Sequence, residues 1–508
     1  MQKNIFVELI IEYMTKKLLT LFLLCAASAL HAANYLTFTA EADNSAFGIE
    51  RTGYGPNINI QYSLNGGKTW AVLPAYTYIP LNRKGDKALL KGKKIQTSTQ
   101  EEENNTHFIM RGRIAASGSV MSLINKNEKD LTITGEKSFY RLFIDCTSLT
   151  QAPELPAKTL APGCYEEMFK GCTNLTQAPK LPAKTLVTGC YAGMFEDCTS
   201  LTQAPELPAT QLADNCYAGM FSGCTSLTKA PELPAKTLAT DCYNLMFAWC
   251  SNLTKAPVLP ATQLADTCYA EMFSGCTSLT KAPELPATTL TTDCYNLMFA
   301  WCTSLTNAPE LPATTLSDGC YLGMFWTCTS LTKAPQLPAT TLTDKCYLGM
   351  FQKCTRLIKA PELPATQLAD NCYAGMFSGC TSLSKAPQLP ATTLTDSCYA
   401  EMFRGCTSLT EAPELPAQTL TNGCYAKMFR GCSILAEIKV GFTDWGENHL
   451  SEEEEENDIA ADVVEDEHWN TSNWLKDVAP KGIFICPKEL PKEFGGSRIP
   501  QEWKVIKN

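Results

Sequence analysis

Cysteine recurs every 26 residues, at positions 146, 172, 198, 224, 250, 276, 302, 328, 354, 380, 406 and 432, and this spacing constrains the fold more than any other property. A second column, each member followed by Tyr, runs from Cys164 through Cys190 to Cys424 in the same steps. Together the columns take 23 of the 25 cysteines. Counted from Leu149, eleven units of 26 residues end at Ile434 without an insertion. A typical unit, Leu279 to Ser304, reads LTKAPELPATTLTTDCYNLMFAWCTS. Residues 201–252 nearly duplicate 253–304, so a longer period lies over the shorter one. A unit of this length cannot bury its own apolar side, and identical units are therefore expected to stack as a solenoid with continuous interior ladders.

Within a unit, Cys294, Met298 and Cys302 stand at i, i+4 and i+8, and Tyr295 and Phe299 at i and i+4. That spacing predicts a short helix capped by Asp293 or Thr292. Leu279 and Ala282 predict an inward-facing extended segment, kept to about three residues by Pro283 and Pro286, which cannot donate to a ladder. The fold class expected is mainly β with short helices.

The string MFSGCTSLTKAP, from Met272 to Pro283, resembles the BspA-like leucine-rich repeats of bacterial surface proteins, in which an aromatic residue, a Cys and a Leu recur at this spacing. Two features depart from that pattern: the unit is longer than is common, and Ala-Pro stands where aliphatic alternation is usual. The resemblance implies a cell-surface protein, often an adhesin for host matrix proteins or other cells, with no catalysis attributed to the repeats. It carries over no particular ligand.

Outside the array the composition changes. Lys16, Lys17, the apolar run Leu18 to Leu24 and the small residues Ala26, Ala27, Ser28, Ala29, Ala32 and Ala33 predict an export signal over 1–33, with Met14 as an alternative start. The bulky Leu24 argues against lipid anchoring at Cys25. Alternating segments at Tyr35 to Glu41, Ile58 to Ser63 and Phe108 to Ile114 predict a small antiparallel, sandwich-like β domain over 34–118. Its hairpin from Ser63 to Trp70 resembles the Asp-box of sialidase propellers, with Asn65 in place of Asp; there the motif is structural, and one copy implies no sialidase. Phe139, Leu142, Phe143 and Cys146 match half a repeat, so 119–148 is expected to cap the array at 149–434. A closing segment, 435–508, holds Trp445, Trp469, Trp474 and Trp503, suited to packing on the last unit. It contains an acidic insertion, 446–467, with 11 Asp and Glu and no Lys or Arg. A solvated loop is expected there; calcium binding is the alternative, though the spacing matches no ordered calcium loop.

The cysteines fit two readings. As small buried hydrophobes they would fill a core ladder as free thiols. Disulfides are the alternative, since export meets oxidant. On a continuous helix the two cysteines of a unit lie about 12 Å apart, beyond the ~7 Å reach of a bridge. No His lies between Cys146 and Cys432, so neither a metal array nor any cofactor is expected.

Binding chemistry is expected on exposed columns. Two residues after the leading Leu stand Lys229, Lys255, Lys281, Lys333, Lys359 and Lys385, whose mutual repulsion of about 0.8 kcal/mol in water can be offset by Glu232, Glu284 and Glu362. Trp249, Trp301 and Trp326 break an otherwise small or polar stretch between Phe and Cys. They serve either as side-packing aromatics or as a hot spot. The array carries 17 Lys and Arg against 22 Asp and Glu, which argues against nucleic acid. Three function classes remain open. The first is an exported or cell-surface recognition protein, a monomer without a transmembrane segment, binding an extracellular protein or glycan such as host matrix. The second is a structural spacer, which the near-identity of the units fits. The third, a glycan-active enzyme, lacks a nucleophile and base: after the signal only His107, His449 and His468 remain, none in the array.

Overall fold

The computed structural model describes residues 34–52, 58–94, 105–124, 131–446 and 470–508. The signal segment and the acidic insertion beyond Gly446 lie outside the described residues, as does Trp469.

The N-terminal region is β. Strands β1 (Leu36–Ala40), β2 (Ser45–Thr52), β3 (Ile58–Ser63), β4 (Ala71–Val72), β5 (Ile79–Leu81), β6 (Lys87–Lys94), β7 (Asn105–Arg111) and β8 (Ile114–Ser117) form two sheets. One has the order β4-β3-β6-β1-β8-β9, where β9 is Leu149–Gln151; the other is β5-β2-β7. Alternation sets the faces: Leu36, Phe38 and Ala40 of β1 are buried and the residues between them are not. The run Phe108 to Ile114 is two strands in different sheets, because Gly112, at φ 77°, turns the chain between β7 and β8. The Ser63 to Trp70 hairpin closes on itself: Thr69 N–H donates to Asn65 Oδ1 at 3.0 Å, and Trp70 Nε1 donates to the Gly67 carbonyl at 3.1 Å. Strand β9 pairs in parallel with β8, joining this region to the repeats.

Beyond β9 the chain runs in repeated turns, and the expected helix is absent. Asp293, Leu297 and Trp301 have φ of 50°, 51° and 58°. A left-handed residue at every fourth position cannot continue a right-handed helix. Instead, Cys294, Asn296, Met298, Ala300 and Cys302 each donate a backbone N–H to the carbonyl three residues back. The intervening Asp293, Tyr295, Leu297, Phe299 and Trp301 donate to Asp318, Cys320, Leu322, Met324 and Trp326, 25 residues on. Asp293 is thus the first left-handed residue of the run, not a cap. Among the described residues the helical element is one 3-10 turn, Val120–Leu123.

This alternation stacks equivalent side chains directly. Tyr295 lies 5.8 Å from Tyr321 between ring centroids, and Phe299 lies 5.8 Å from Phe325. The rings are parallel and buried, with Cys294, Met298, Cys302 and Leu305 around them. Leu279 and Ala282 also face inward, as expected. The extended segment is shorter than expected, reduced to isolated parallel bridges. These join Gln177 to Gln203, Lys229 to Lys255, Lys281 to Asn307, Lys333 to Lys359 and Lys385 to Glu411, so that among the described residues every second seam carries one. The same seams pair Thr185 with Gln211, Thr237 with Gln263 and Thr341 with Gln367, each Thr hydroxyl donating to the Gln side-chain carbonyl. The seam that joins Lys281 to Asn307 pairs Thr289 with Thr315 instead, so the two-unit period of the bridges holds with or without Gln.

Both ends continue the stack. Phe143 packs between Phe108 of β7, at 5.0 Å, and Phe169, at 5.4 Å. At the other end Tyr425, Lys427, Phe429 and Gly431 donate to the carbonyls of Asn470, Ser472, Trp474 and Lys476. Residues 470–477 are therefore one more run of the same kind, with Asn473 and Asp477 left-handed. Strands β10 (Glu437–Lys439), β11 (Ile483–Cys486) and β12 (Lys504–Lys507) form a parallel sheet. Trp445, Trp474 and Trp503 are buried there.

Candidate functional site

The cysteines are core, not chemistry. All 24 described cysteines are buried and unbridged. In the column that runs from Cys146 to Cys432 the thiol donates to the carbonyl of an earlier Phe, as Cys276 to Phe247, Cys302 to Phe273 and Cys328 to Phe299, each at 3.1 Å. Burial pushes these thiols up, Cys354 to about 12, so they stay protonated donors. Among the described residues no cluster of His, Cys, Asp and Glu could hold a metal, and no helix is long and apolar enough to cross a membrane.

The lysine column lies on the bridged segments. Lys229, Lys255, Lys281, Lys333, Lys359 and Lys385 are all exposed. Lys229 bridges directly to Lys255 and Lys333 to Lys359, like charge beside like charge. Glu232, Glu284 and Glu362 do not reach them. Among the described residues the column's one ion pair joins Lys385 Nζ to Glu411 Oε2 at 2.6 Å. Two clefts open at unbridged seams of this Pro-rich segment. The larger, about 870 Å³, lies between 202–208 and 228–232, and includes Lys229. The other, about 660 Å³, lies between 358–364 and 384–388, and includes Lys359 and Lys385.

The three tryptophans occupy a different segment, the end of the turn run, and the structure brings them together. Trp249 lies 5.9 Å from Trp301, two units away, and Trp301 lies 4.7 Å from Trp326, with interplanar angles of 33° and 43°. Gly275 makes this approach feasible: a Cβ there would sit 2.5 Å from Trp249 Cε3. Trp249 remains 52% exposed. Sequence reasoning named the tryptophans but missed Gly275, which stands between Trp249 and Trp301 in the stack; aligning the columns at 26-residue spacing was the available signal. Glu271 is half-buried, and burial raises its carboxyl pKa, with no cation within ion-pair distance among the described residues.

The family model of the BspA type leucine rich repeat region matches residues 140–270 and 323–453, in 6 copies. No curated protein and no solved structure matches the chain.

Proposed function

Because the chain belongs to the BspA type leucine-rich repeat family, we propose that it is an exported, cell-surface recognition protein that binds an extracellular protein or glycan. On this reading residues 149–434 form a solenoid of eleven units. The sandwich-like domain at 34–118 and the half repeat at 119–148 cover one end, and 435–508 closes the other. The signal over 1–33 directs export, and the protein acts as a monomer without catalytic activity.

The observation that carries this reading is the lysine column. Five exposed ammonium groups, on Lys229, Lys255, Lys281, Lys333 and Lys359, repeat along the bridged segments with no described carboxylate in ion-pair reach. The hydrogen-bonded turn runs hold their spacing, so the entropy of arranging such a surface is lost at folding and not at binding. Binding of the full chain to immobilised matrix proteins, mucins and polysaccharides tests it. Micromolar binding that weakens in the Lys229→Glu, Lys255→Glu, Lys281→Glu variant supports recognition. No binding to any of them favours a structural spacer, which the near-identity of the units also fits.

A further inference from the structure

We propose that the lysine column from Lys229 to Lys385 is a track for a linear anionic polysaccharide, one that carries carboxylate or sulfate groups on a disaccharide repeat. This rests on the column being a recognition surface and gives that surface a ligand class.

Line charge supplies the first argument. Lys229, Lys255 and Lys281 stand in three consecutive units, and Lys333, Lys359 and Lys385 in three more, with the neutral Asn307 between the two blocks. Paired extended segments lie about 5 Å apart, so each block presents one ammonium group per step of the stack. A small anion would neutralise one or two of these charges. A polymer meets them in succession and releases its counterions as it does so. Lys385, paired with Glu411, ends the row.

Alternation supplies the second argument. The hydroxyls of Thr202, Thr254, Thr306 and Thr410 donate to a carbonyl of the preceding unit. Those of Thr228, Thr280, Thr332 and Ser384, all exposed, have no hydrogen-bond partner among the described residues. Each of these four immediately precedes a lysine and stands at an unbridged seam, and Thr228 and Ser384 line the two clefts. A free hydroxyl beside an ammonium group therefore recurs every two units, or about 10 Å. Two pyranose rings of an extended chain cover a comparable length, so a disaccharide repeat stays in register with the array.

The surroundings select among polyanions. Single strands of nucleic acid bind through bases stacked on aromatic rings, and each lysine here lies between Thr, Ser or Ile on one side and Ala on the other. Duplex DNA carries one charge per about 1.7 Å, far denser than this row. A protein partner draws its affinity from aromatic and arginine anchors, whereas the exposed large apolar side chains beside the column are single, Val258 and Ile358. Glu232, Glu284 and Glu362 lie three residues on, about 10 Å along an extended segment. They repel an anionic chain that strays from the lysines and so bound the track on that side.

Calorimetric titration of the full chain with hyaluronan and chondroitin sulfate oligosaccharides, at about 50 and about 300 mM salt, tests the proposal; dextran, polyglutamate and single-stranded DNA are the comparisons. Wild type is expected to bind at least one anionic oligosaccharide, at least about ten-fold more weakly at the higher salt, and to ignore dextran. Lys229→Gln, Lys255→Gln, Lys281→Gln, with its melting temperature retained, should bind at least about ten-fold more weakly, and Glu232→Gln, Glu284→Gln, Glu362→Gln more tightly. No binding of either oligosaccharide, equal binding by the lysine variant, or equal or tighter binding of polyglutamate or single-stranded DNA overturns the assignment. Unchanged affinity in Thr228→Val, Thr280→Val, Thr332→Val removes the disaccharide register and overturns it too. Lysine-dependent binding to matrix proteins would then leave the recognition reading intact, whereas loss of every interaction would remove both.

Discussion

The Cys276 thiol donates to the Phe247 carbonyl at 3.1 Å, from one unit to its predecessor, while the Phe247 ring stacks 5.7 Å from that of Phe273. The thiol therefore closes a seam polar on one side and aromatic on the other. Cys276→Ala removes the donor and leaves a small void, with an expected loss of ~1–3 kcal/mol in denaturant unfolding. Free thiols are required for this bond. A thiol reagent applied to the denatured, unreduced chain should find nearly all cysteines reactive, and to the native chain almost none. Fewer than half reactive on denaturation would contradict the ladder.

Alkaline pH should destabilise the stack. Burial holds the Cys294 and Cys354 thiols up at about 12 and others above them, against about 8.5 in an unfolded chain. The folded state keeps protons that the unfolded state releases, so this contribution is complete below pH ~8.5 and is lost as pH rises towards 12. Each thiol costs ~1.4 kcal/mol per pH unit through that window. The melting temperature should be level from pH ~6 to 8 and fall steeply above about 9; equal values at pH 7.5 and 10 would reject the account.

Left-handed positions filled by other residues are stores of strain. Thr267, β-branched, sits at φ 55° where Gly189 and Gly319 stand in other units. Thr267→Gly is expected to stabilise by about 1 kcal/mol. Gly275→Ala should cost ~2 kcal/mol and shift tryptophan emission, because its Cβ would meet Trp249. Urea midpoints read both, and a destabilised Thr267→Gly would show that strain is not what the backbone stores there.

Tyr347 is fully buried in the ring stack, and its hydroxyl has no hydrogen-bond partner. Tyr347→Phe keeps the ring and removes the unpaired group, so it should be neutral or stabilising by up to about 1 kcal/mol. Tyr347→Ala, which breaks the stack, should cost ~3–5 kcal/mol. A Tyr347→Phe variant as damaged as Tyr347→Ala would mean that the hydroxyl is in fact bonded.

The inward columns were legible because spacing alone identifies them: Cys, Tyr, Met, Phe and Leu at fixed offsets must share one side. The turn geometry was not. Cys294, Met298 and Cys302 at four-residue steps fit a helix and a train of turns equally well, and the deciding signal lay in the residues between. Gly, Asn and Asp recur one position before Cys-Tyr, as at Gly189, Asn215 and Asp241, which is where a left-handed backbone is cheapest. The run at 470–477 escaped notice because it carries no cysteine and its hydrogen bonds span 45 residues. At the candidate surface, sequence named the tryptophans individually, but only stacking reveals that Trp249 and Trp301 meet over Gly275.

Alternation between bridged and open seams makes the natural increment of such an array a pair of units. Deleting one unit sets two seams of the same kind side by side; deleting two restores the pattern. The near-copy of 201–252 in 253–304 is a change of that size. Growth by whole pairs lengthens the molecule while keeping its surface openings in phase, so new copies inherit a working spacing without further mutation.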